Sequence, residues 1–307
     1  MAFNTKTTRL NQKYTAGHRR DMLSYLLLMG PPFAIMLLLT FVPIFYSLWM
    51  SLWQNNMAMP GTEKFVGLGN YIKMLTDDPN FWTIMRNTFV QVFSTVSLQV
   101  VLGLLLALLL SREVKGMGIA RSLVMIPMMA TPVVIGVIWR FMVNPEFGII
   151  NYLLSVLGLR GPDWLGSPGL AMTTIVLSDV WLSTPFVTII IIAGIISLPK
   201  DSFEAAQVDG ASASQTFWKV TLPQLMPVIW VAVMFRLIDA FKRFDSIYIM
   251  TAGGPGNSTE TLNLYAYNMA FSYLDTGYAS ALAMFLFLII GVLSIVTTTK
   301  VQKNGNI

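Results

Sequence analysis

Long stretches without a single charged side chain recur through this sequence, and they restrict the fold more than any other feature. No Asp, Glu, Lys or Arg lies between Met22 and Thr62, and Thr88 to Leu110, Ser122 to Trp139 and Thr276 to Thr299 are equally free of charge. An α-helix rises about 1.5 Å per residue and the bilayer hydrocarbon is about 30 Å thick, so about 20 apolar residues cross it. Two further stretches qualify with interruptions. Leu170 to Leu198 is broken only by Asp179, whereas Pro223 to about Met250 begins apolar and then acquires Arg236, Asp239, Lys242, Arg243 and Asp245. Six spans follow, and with them an all-α integral membrane fold. The composition agrees: of 307 residues 55% are hydrophobic and 11% charged, where soluble chains carry about 25% charged residues. The first apolar segment, Leu23 to Trp53, is too long for a signal-peptide core and lacks a small-x-small cleavage site, so it is expected to remain as an anchor.

The residue inventory excludes several chemistries. Cysteine is absent and His18 is the only histidine, which removes disulfides, thiolate nucleophiles and any multi-histidine zinc cluster, so no metal site is expected. A serine triad could draw only on His18, in a polar tail. The dipeptide Gly-Lys does not occur, so there is no P-loop to hold a nucleoside triphosphate. If ATP drives this protein, another chain binds it. An integral-membrane enzyme has no support either, because no clustered carboxylates, histidines or cysteines converge.

The net charge of +5 is explained by topology better than by nucleic acid. Cytoplasmic loops of membrane proteins retain Lys and Arg. With the amino terminus inside, cytoplasmic segments hold Lys6, Arg9, Lys13, Arg19, Arg20, Arg112, Lys115, Arg121, Lys200, Lys219, Lys300 and Lys303, twelve of the twenty basic residues. The other side holds Lys64, Lys73, Arg86 and Arg160, with Arg140 at a helix end. Both termini are therefore expected in the cytoplasm. The boundaries expected are a tail over 1–22, one membrane domain over 23–300 and a tail over 301–307. Spans are placed near 23–53, 88–110, 120–141, 170–198, 223–250 and 276–299.

The cytoplasmic loop over 199–222 carries the most information. Asp201 can cap a short helix with Glu204 three residues on, and Asp209-Gly210 ends it, glycine supplying the left-handed conformation. Ser212 and Gln215 form a second capping pattern, starting a helix toward Leu222, and Pro223 suits the first turn of the next span. Ala205 and Ala206 leave little bulk, so this helix can approach another surface closely.

The run Glu204-Ala205-Ala206, Asp209-Gly210-Ala211, Phe217, Val220, Leu222-Pro223 and Pro227 resembles the EAA loop of membrane subunits of binding-protein-dependent ABC importers. Only Val220, often isoleucine there, departs. Phe235-Arg236, Asp239-Ala240-Phe241, Phe244-Asp245, Ile247-Tyr248, Thr251 and Gly253-Gly254-Pro255 resemble the fifth-span signature of carbohydrate-type permeases, particularly the subunit related to the first membrane subunit of the maltose transporter. Phe65 to Tyr71, reading Phe-Val-Gly-Leu-Gly-Asn-Tyr, resembles the first outer loop of the same subgroup. The likeness covers roughly Leu23 to Lys300. The maltose subunit has extra amino-terminal spans and a large outer insertion and this chain shows neither, so it is similar to the shorter six-span members.

The resemblance implies a permease of the type I ABC importer kind in a bacterial inner membrane, importing a sugar or sugar-like solute and not itself an enzyme. It implies that the 199–222 loop is the coupling helix seated on an ATPase. Its residues would be Glu204, Ala205, Ala206, Asp209, Gly210, Ala211, Leu222 and Pro223. Partners implied are a second, different permease, two ATP-binding subunits and an extracytoplasmic solute-binding protein, with no cofactor on this chain and no nucleic acid.

Arg236, Asp239 and Arg243 sit at i, i+3 and i+7, so a continuous helix would align them, with Lys242 adjacent. Ionisable groups in a membrane usually face a bundle interior or a cavity. Two readings stay open: an ion-pair network bracing span five, or polar groups beside a translocation path that bond sugar hydroxyls or an anionic substituent. Three cations against Asp239 and Asp245 leave an excess positive charge, pointing to an anionic solute. Phe241, Phe244 and Tyr248 alternate with the charges and Trp181 lies near Asp179, and aromatic faces suit the C–H faces of sugars. A rival from another class is an ATP-independent secondary transporter or channel using Asp179, Arg236 and Asp239 as a relay. That class favours inverted repeats, and none is found.

Overall fold

The computed structural model describes residues 4–112 and 114–305, with side-chain surroundings for 28–112 and 114–302. The extreme ends of both expected tails, and the side chains of the basic amino-terminal segment including His18, lie outside the described residues. The chain forms two units, 1–50 and 51–307. The first is the helix α1 (Asn4–Ser51), which contains Pro31, Pro32 and Pro43. Its helical backbone starts at Asn4 rather than at the expected boundary of Leu23.

In the second unit a two-stranded ribbon, β1 (Trp53–Gln54) against β2 (Lys64–Phe65), leads into α2 (Gly69–Thr76) and α3 (Phe81–Leu110). Next come α4 (Met117–Met125), a 3-10 turn (Ile126–Met129), α5 (Pro132–Met142), α6 (Ile149–Val156) and α7 (Pro168–Ile196). The remainder is α8 (Lys200–Val208), α9 (Ala213–Thr216), α10 (Leu222–Phe241), α11 (Asp245–Thr251), α12 (Leu262–Tyr267) and α13 (Thr276–Gly305). Five helical segments among the described residues are long and apolar enough to cross a membrane: 28–51, 81–110, 168–196, 213–241 and 276–302.

The third expected span is not one straight helix. Residues 117–129 and 132–142 meet at 96°. Pro127 and Pro132 bracket the bend, and Ala130 and Thr131 are extended there; proline removes helical hydrogen bonds and pushes the residue before it out of the α region. The fifth span is also corrected. α10 stops at Phe241, residues 242–244 form a turn, and α11 starts afresh at Asp245. At its other end the helical run starts at Ala213, inside the loop expected over 199–222. A π-turn, Phe217–Thr221, makes this possible. Pro223 has no N–H for the carbonyl four residues back and clashes with it in a regular helix, and the wider π-turn accommodates both problems.

Packing is tight where α3 crosses α7. A methyl group at Gly103 would sit 2.6 Å from Val187 Cγ1, so the absent side chain sets how closely these helices approach. Ala107, Val187, Ile191, Leu225, Ile229 and Ala232 form the core shared by α3, α7 and α10. A second core joins α2, α3, α10, α12 and α13 through Met74, Phe81, Ile84, Val92, Leu237, Leu262 and Leu282. Outside these cores the long helices present Val101, Leu105, Leu109, Phe287, Leu288, Val292 and Ile295 outward, the surface expected of helices solvated by lipid.

The first outer loop is held down by Asn70, whose Nδ2 donates to the carbonyls of Ser51 and Trp53 at 2.8 and 2.9 Å. Asp78 accepts hydrogen bonds from the hydroxyls of Tyr265 and Tyr278. Lys73 pairs with Asp275 at 3.6 Å.

Candidate functional site

The charged residues of span five meet Asp179 of α7 in the middle of the second unit. Asp179 is fully buried, and its Oδ1 lies 2.7 Å from Arg243 Nη2 and 3.8 Å from Arg236 Nη2. Ser183, one turn on, donates to the same oxygen at 3.2 Å. Arg236 is also buried; its Nε donates to Gln99 Oε1 at 2.8 Å and its Nη1 to Asp239 Oδ2 at 3.2 Å. Gln99 completes a ring by donating from Nε2 to the Asp179 carbonyl at 3.0 Å. Thus α3, α7 and the end of α10 are joined by charge-assisted hydrogen bonds, the arrangement buried ions require.

Asp239 and Lys242 form the open side of this centre. Their side chains are half-exposed and lie 3.9 Å apart. Among the described residues Asp179 Oδ2, Arg236 Nη2 and Arg243 Nε have no hydrogen-bond partner.

Three expectations change here. Arg243 is not one face of a continuous helix with Arg236 and Asp239, because α10 ends at Phe241 and Arg243 reaches Asp179 from the turn. Phe241 is buried against Phe89, ring centroids 5.8 Å apart, and belongs to the apolar core. The charge count also changes, because Asp179 joins Asp239 as an anion paired with Arg236, Lys242 and Arg243.

Phe244 and Tyr248 stack at 5.3 Å, and Tyr267 closes on Phe244 at 4.8 Å. Tyr248 keeps an exposed face. Trp181 is exposed beside Trp139, with ring centroids 6.3 Å apart. Gln99, Ser183, Tyr267 and Trp139 were not singled out from the sequence. Gln99 carried a usable signal, a polar amide in an otherwise apolar span; the others had none beyond their residue type.

The loop after α7 forms a separate surface. α8 ends at Asp209, and Gly210 adopts φ +70°, the left-handed conformation that only glycine takes at little cost. Glu204, Ala205, Gln207, Val208 and Asp209 are exposed, whereas Ala206 faces inward. Ala211 is partly covered, and Leu222 and Pro223 lie in the first turn of α10. Ser212 and Gln215 make both hydrogen bonds of a capping box. Asp201 makes no cap: Pro199 occupies that position and Asp201 lies inside the first turn of α8, where its charge complements the helix dipole.

Residues 99–302 match the family model described as the binding-protein-dependent transport system inner membrane component. The chain belongs to this family. Its relatives include the probable ABC transporter permease protein y4oQ of Sinorhizobium fredii, 44% identical over 82% of either chain. The trehalose/maltose transport system permease protein MalF of Thermococcus litoralis is 38% identical over 89% of this chain and 91% of that one. A bacterial ABC transporter involved in the import of the acidic polysaccharide alginate shares the fold, with a TM-score of 0.77 and 21% identity over 95% of this chain and 99% of that one. The protein is therefore a multi-pass inner-membrane ABC permease of the type I importer fold, in a family of sugar-transport permeases that are not themselves enzymes. In this permease the buried charge centre and the exposed α8 lie on the same two helices, since α7 carries Asp179 and leads into α8, and α10 carries Arg236 and follows it.

Proposed function

We propose that this chain forms half of the translocation pathway of an ATP-driven importer for a sugar or sugar-like solute. The 199–222 loop transmits movement from a separate ATPase. The observation that carries the coupling role is the exposed α8, ended by a left-handed Gly210 and placed between two membrane-length helices that share the charge centre. ATP bound by the partner closes the ATPase pair and displaces α8; α7 and α10 follow as packed bodies and turn the path outward, and hydrolysis returns them. Such coupling needs two discrete packings and a ligand that distinguishes them. A second, different permease supplies the other half of the path, and a solute-binding protein delivers the solute from outside. Both termini face the cytoplasm.

Arg236 is paired with Asp179 and Asp239, and Arg243 with Asp179. The half-exposed Asp239 and Lys242 suit hydroxyl groups, and the Phe244–Tyr248–Tyr267 cluster suits the C–H face of a sugar ring.

Gly210→Pro and Glu204→Arg each abolish uptake in cells while the protein still inserts and the solute-binding protein still binds its solute. Copurification from native membranes reads the cause: the ATPase is recovered with the unaltered chain and lost with either variant. Normal uptake by both variants would falsify the coupling role.

A further inference from the structure

The connection between α5 and α7 carries a helix whose apolar side is largely exposed among the described residues. α6 places Ile149, Tyr152, Leu153 and Val156, continued by Leu157, at i, i+3, i+4, i+7 and i+8, and all five are exposed. Val156 and Leu157 are 67% and 74% exposed. None of its residues is buried. The opposite side is held by polar bonds: Asn151 donates from Nδ2 to the Pro162 carbonyl at 3.2 Å and accepts at Oδ1 from Trp164 Nε1 at 2.7 Å. A helix on a soluble protein turns its apolar stripe to the core; here the stripe is turned away. A contiguous apolar patch of this kind marks a contact with membrane or protein.

Three features select the membrane. α6 is tied closely to the end of α5: Asn144 Oδ1 accepts from the N–H groups of Glu146 and Phe147, and the Gly148 N–H donates to the Asn144 carbonyl. It also precedes Pro168, the start of α7. It thus stays beside the end of α5 and the start of α7. Second, Phe147 and Tyr152 are exposed here and Trp164 follows in the same connection, the aromatic composition of a membrane–water boundary. Third, a cleft of about 760 Å³ beside α6 is lined by Glu146, Arg160 and Asp163 as well as Tyr152, carboxylates with a cation that complement a zwitterionic phospholipid headgroup.

We propose that α6 is an interfacial helix, lying in the plane of the bilayer with Ile149, Tyr152, Leu153, Val156 and Leu157 in phospholipid, so that the α5–α7 connection is anchored in the membrane. Which leaflet this is rests on the proposed orientation, with α6 at the opposite end of α7 from the coupling loop and hence in the outer leaflet. Contact with lipid itself does not depend on that reading.

The chain has no cysteine, so single cysteines at Leu153, Val156 and Ser155 are the only thiols it offers to a spin label, and the complex with the unaltered chain gives the background from the other subunits. The importer, with its copurifying subunits, is placed in nanodiscs of phosphatidylethanolamine and phosphatidylglycerol. Labels at Leu153 and Val156 are expected to collide more with oxygen than with a water-soluble nickel complex, at a depth of about 5–10 Å. The label at Ser155, off the stripe on the edge that lines the cleft, shows the reverse. Nickel access to the stripe equal to that at Ser155 overturns the proposal, because the helix is then in water. Exclusion of both reagents from the stripe overturns it as well, because the helix is then covered by protein. Uptake by cells carrying the same cysteine variants, and ATPase copurification with the unlabelled chain, separate failure of this inference from failure of the importer reading.

Discussion

Asp179 is the residue on which the charge centre turns. Removing one partner of a buried ion pair leaves the others uncompensated in a medium of low dielectric, at a cost of about 3–5 kcal/mol. Asp179→Ala is therefore expected to lower the thermal midpoint in detergent by several degrees, since Arg243 loses its anion and Arg236 one of two. Lys242→Ala leaves the midpoint unchanged, because its side chain is 59% exposed and its pairing with Asp239 is long. Scanning fluorimetry on both variants reads the difference. The sequence displayed Asp179, Arg236, Asp239 and Arg243 as charges out of place in apolar spans, which was enough to gather them. It did not display that Arg243 leaves the helix, because residue periodicity assumes an unbroken backbone and α10 ends two residues earlier. For the same reason Phe241, grouped with the charges by spacing, proves to be core.

Helices were legible as elements because apolar length and turn chemistry are local. The capping box at Ser212 and Gln215 and the left-handed Gly210 depend on neighbours within a few residues and occur where the spacing placed them. The breaks were not legible as geometry. Pro127 and Pro132 are consistent with a mild kink or a sharp bend, and the 96° observed depends on what packs against each half. Close approach of α3 and α7 is likewise a pairwise property. Gly103→Ala forces a methyl group to within 2.6 Å of Val187, and the β-branched valine has little rotamer freedom to yield. It is expected to destabilise by about 1–3 kcal/mol. Gly291→Ala, in the middle of α13 with open space around it, is expected to stabilise by about 0.5–1 kcal/mol through helix propensity alone. Opposite shifts of the thermal midpoint by these two variants check the assignment of α3–α7 as a contact set by the missing side chain.

At the scale of the whole molecule, the loop after α11 contains a carboxyl that makes stability depend on pH. Burial pushes the Glu260 carboxyl above its ordinary value of 4.5; the Asn268 hydrogen bond opposes this and the charge of Asp78 adds to it. The folded state thus holds this proton more tightly than the unfolded chain does. Its contribution is fully present below the unfolded value and is lost as pH rises through the folded one. Glu260→Gln, which keeps an acceptor for Asn268 Nδ2, is expected to raise the thermal midpoint at about pH 7 and to match the unaltered protein at about pH 4. An equal shift at both pH values would remove the electrostatic explanation. Tyr265 on α12 is pushed up by burial, with the hydrogen bond and charge of Asp78 adding to it, so it stays a neutral donor across this range. The sequence by itself determined that the chain is a membrane protein, where its long apolar helices run, and which loop carries the family's motif, since hydropathy, caps and short motifs are written in adjacent residues. The tertiary structure decided that Asp179 pairs with Arg236 and Arg243 and that Gln99 bonds to Arg236, that spans three and five are broken, and that α6 turns its apolar stripe away from the protein. Those outcomes depend on groups as far as 137 residues apart, and pairing over such distances is fixed only when packed helices bring the partners together.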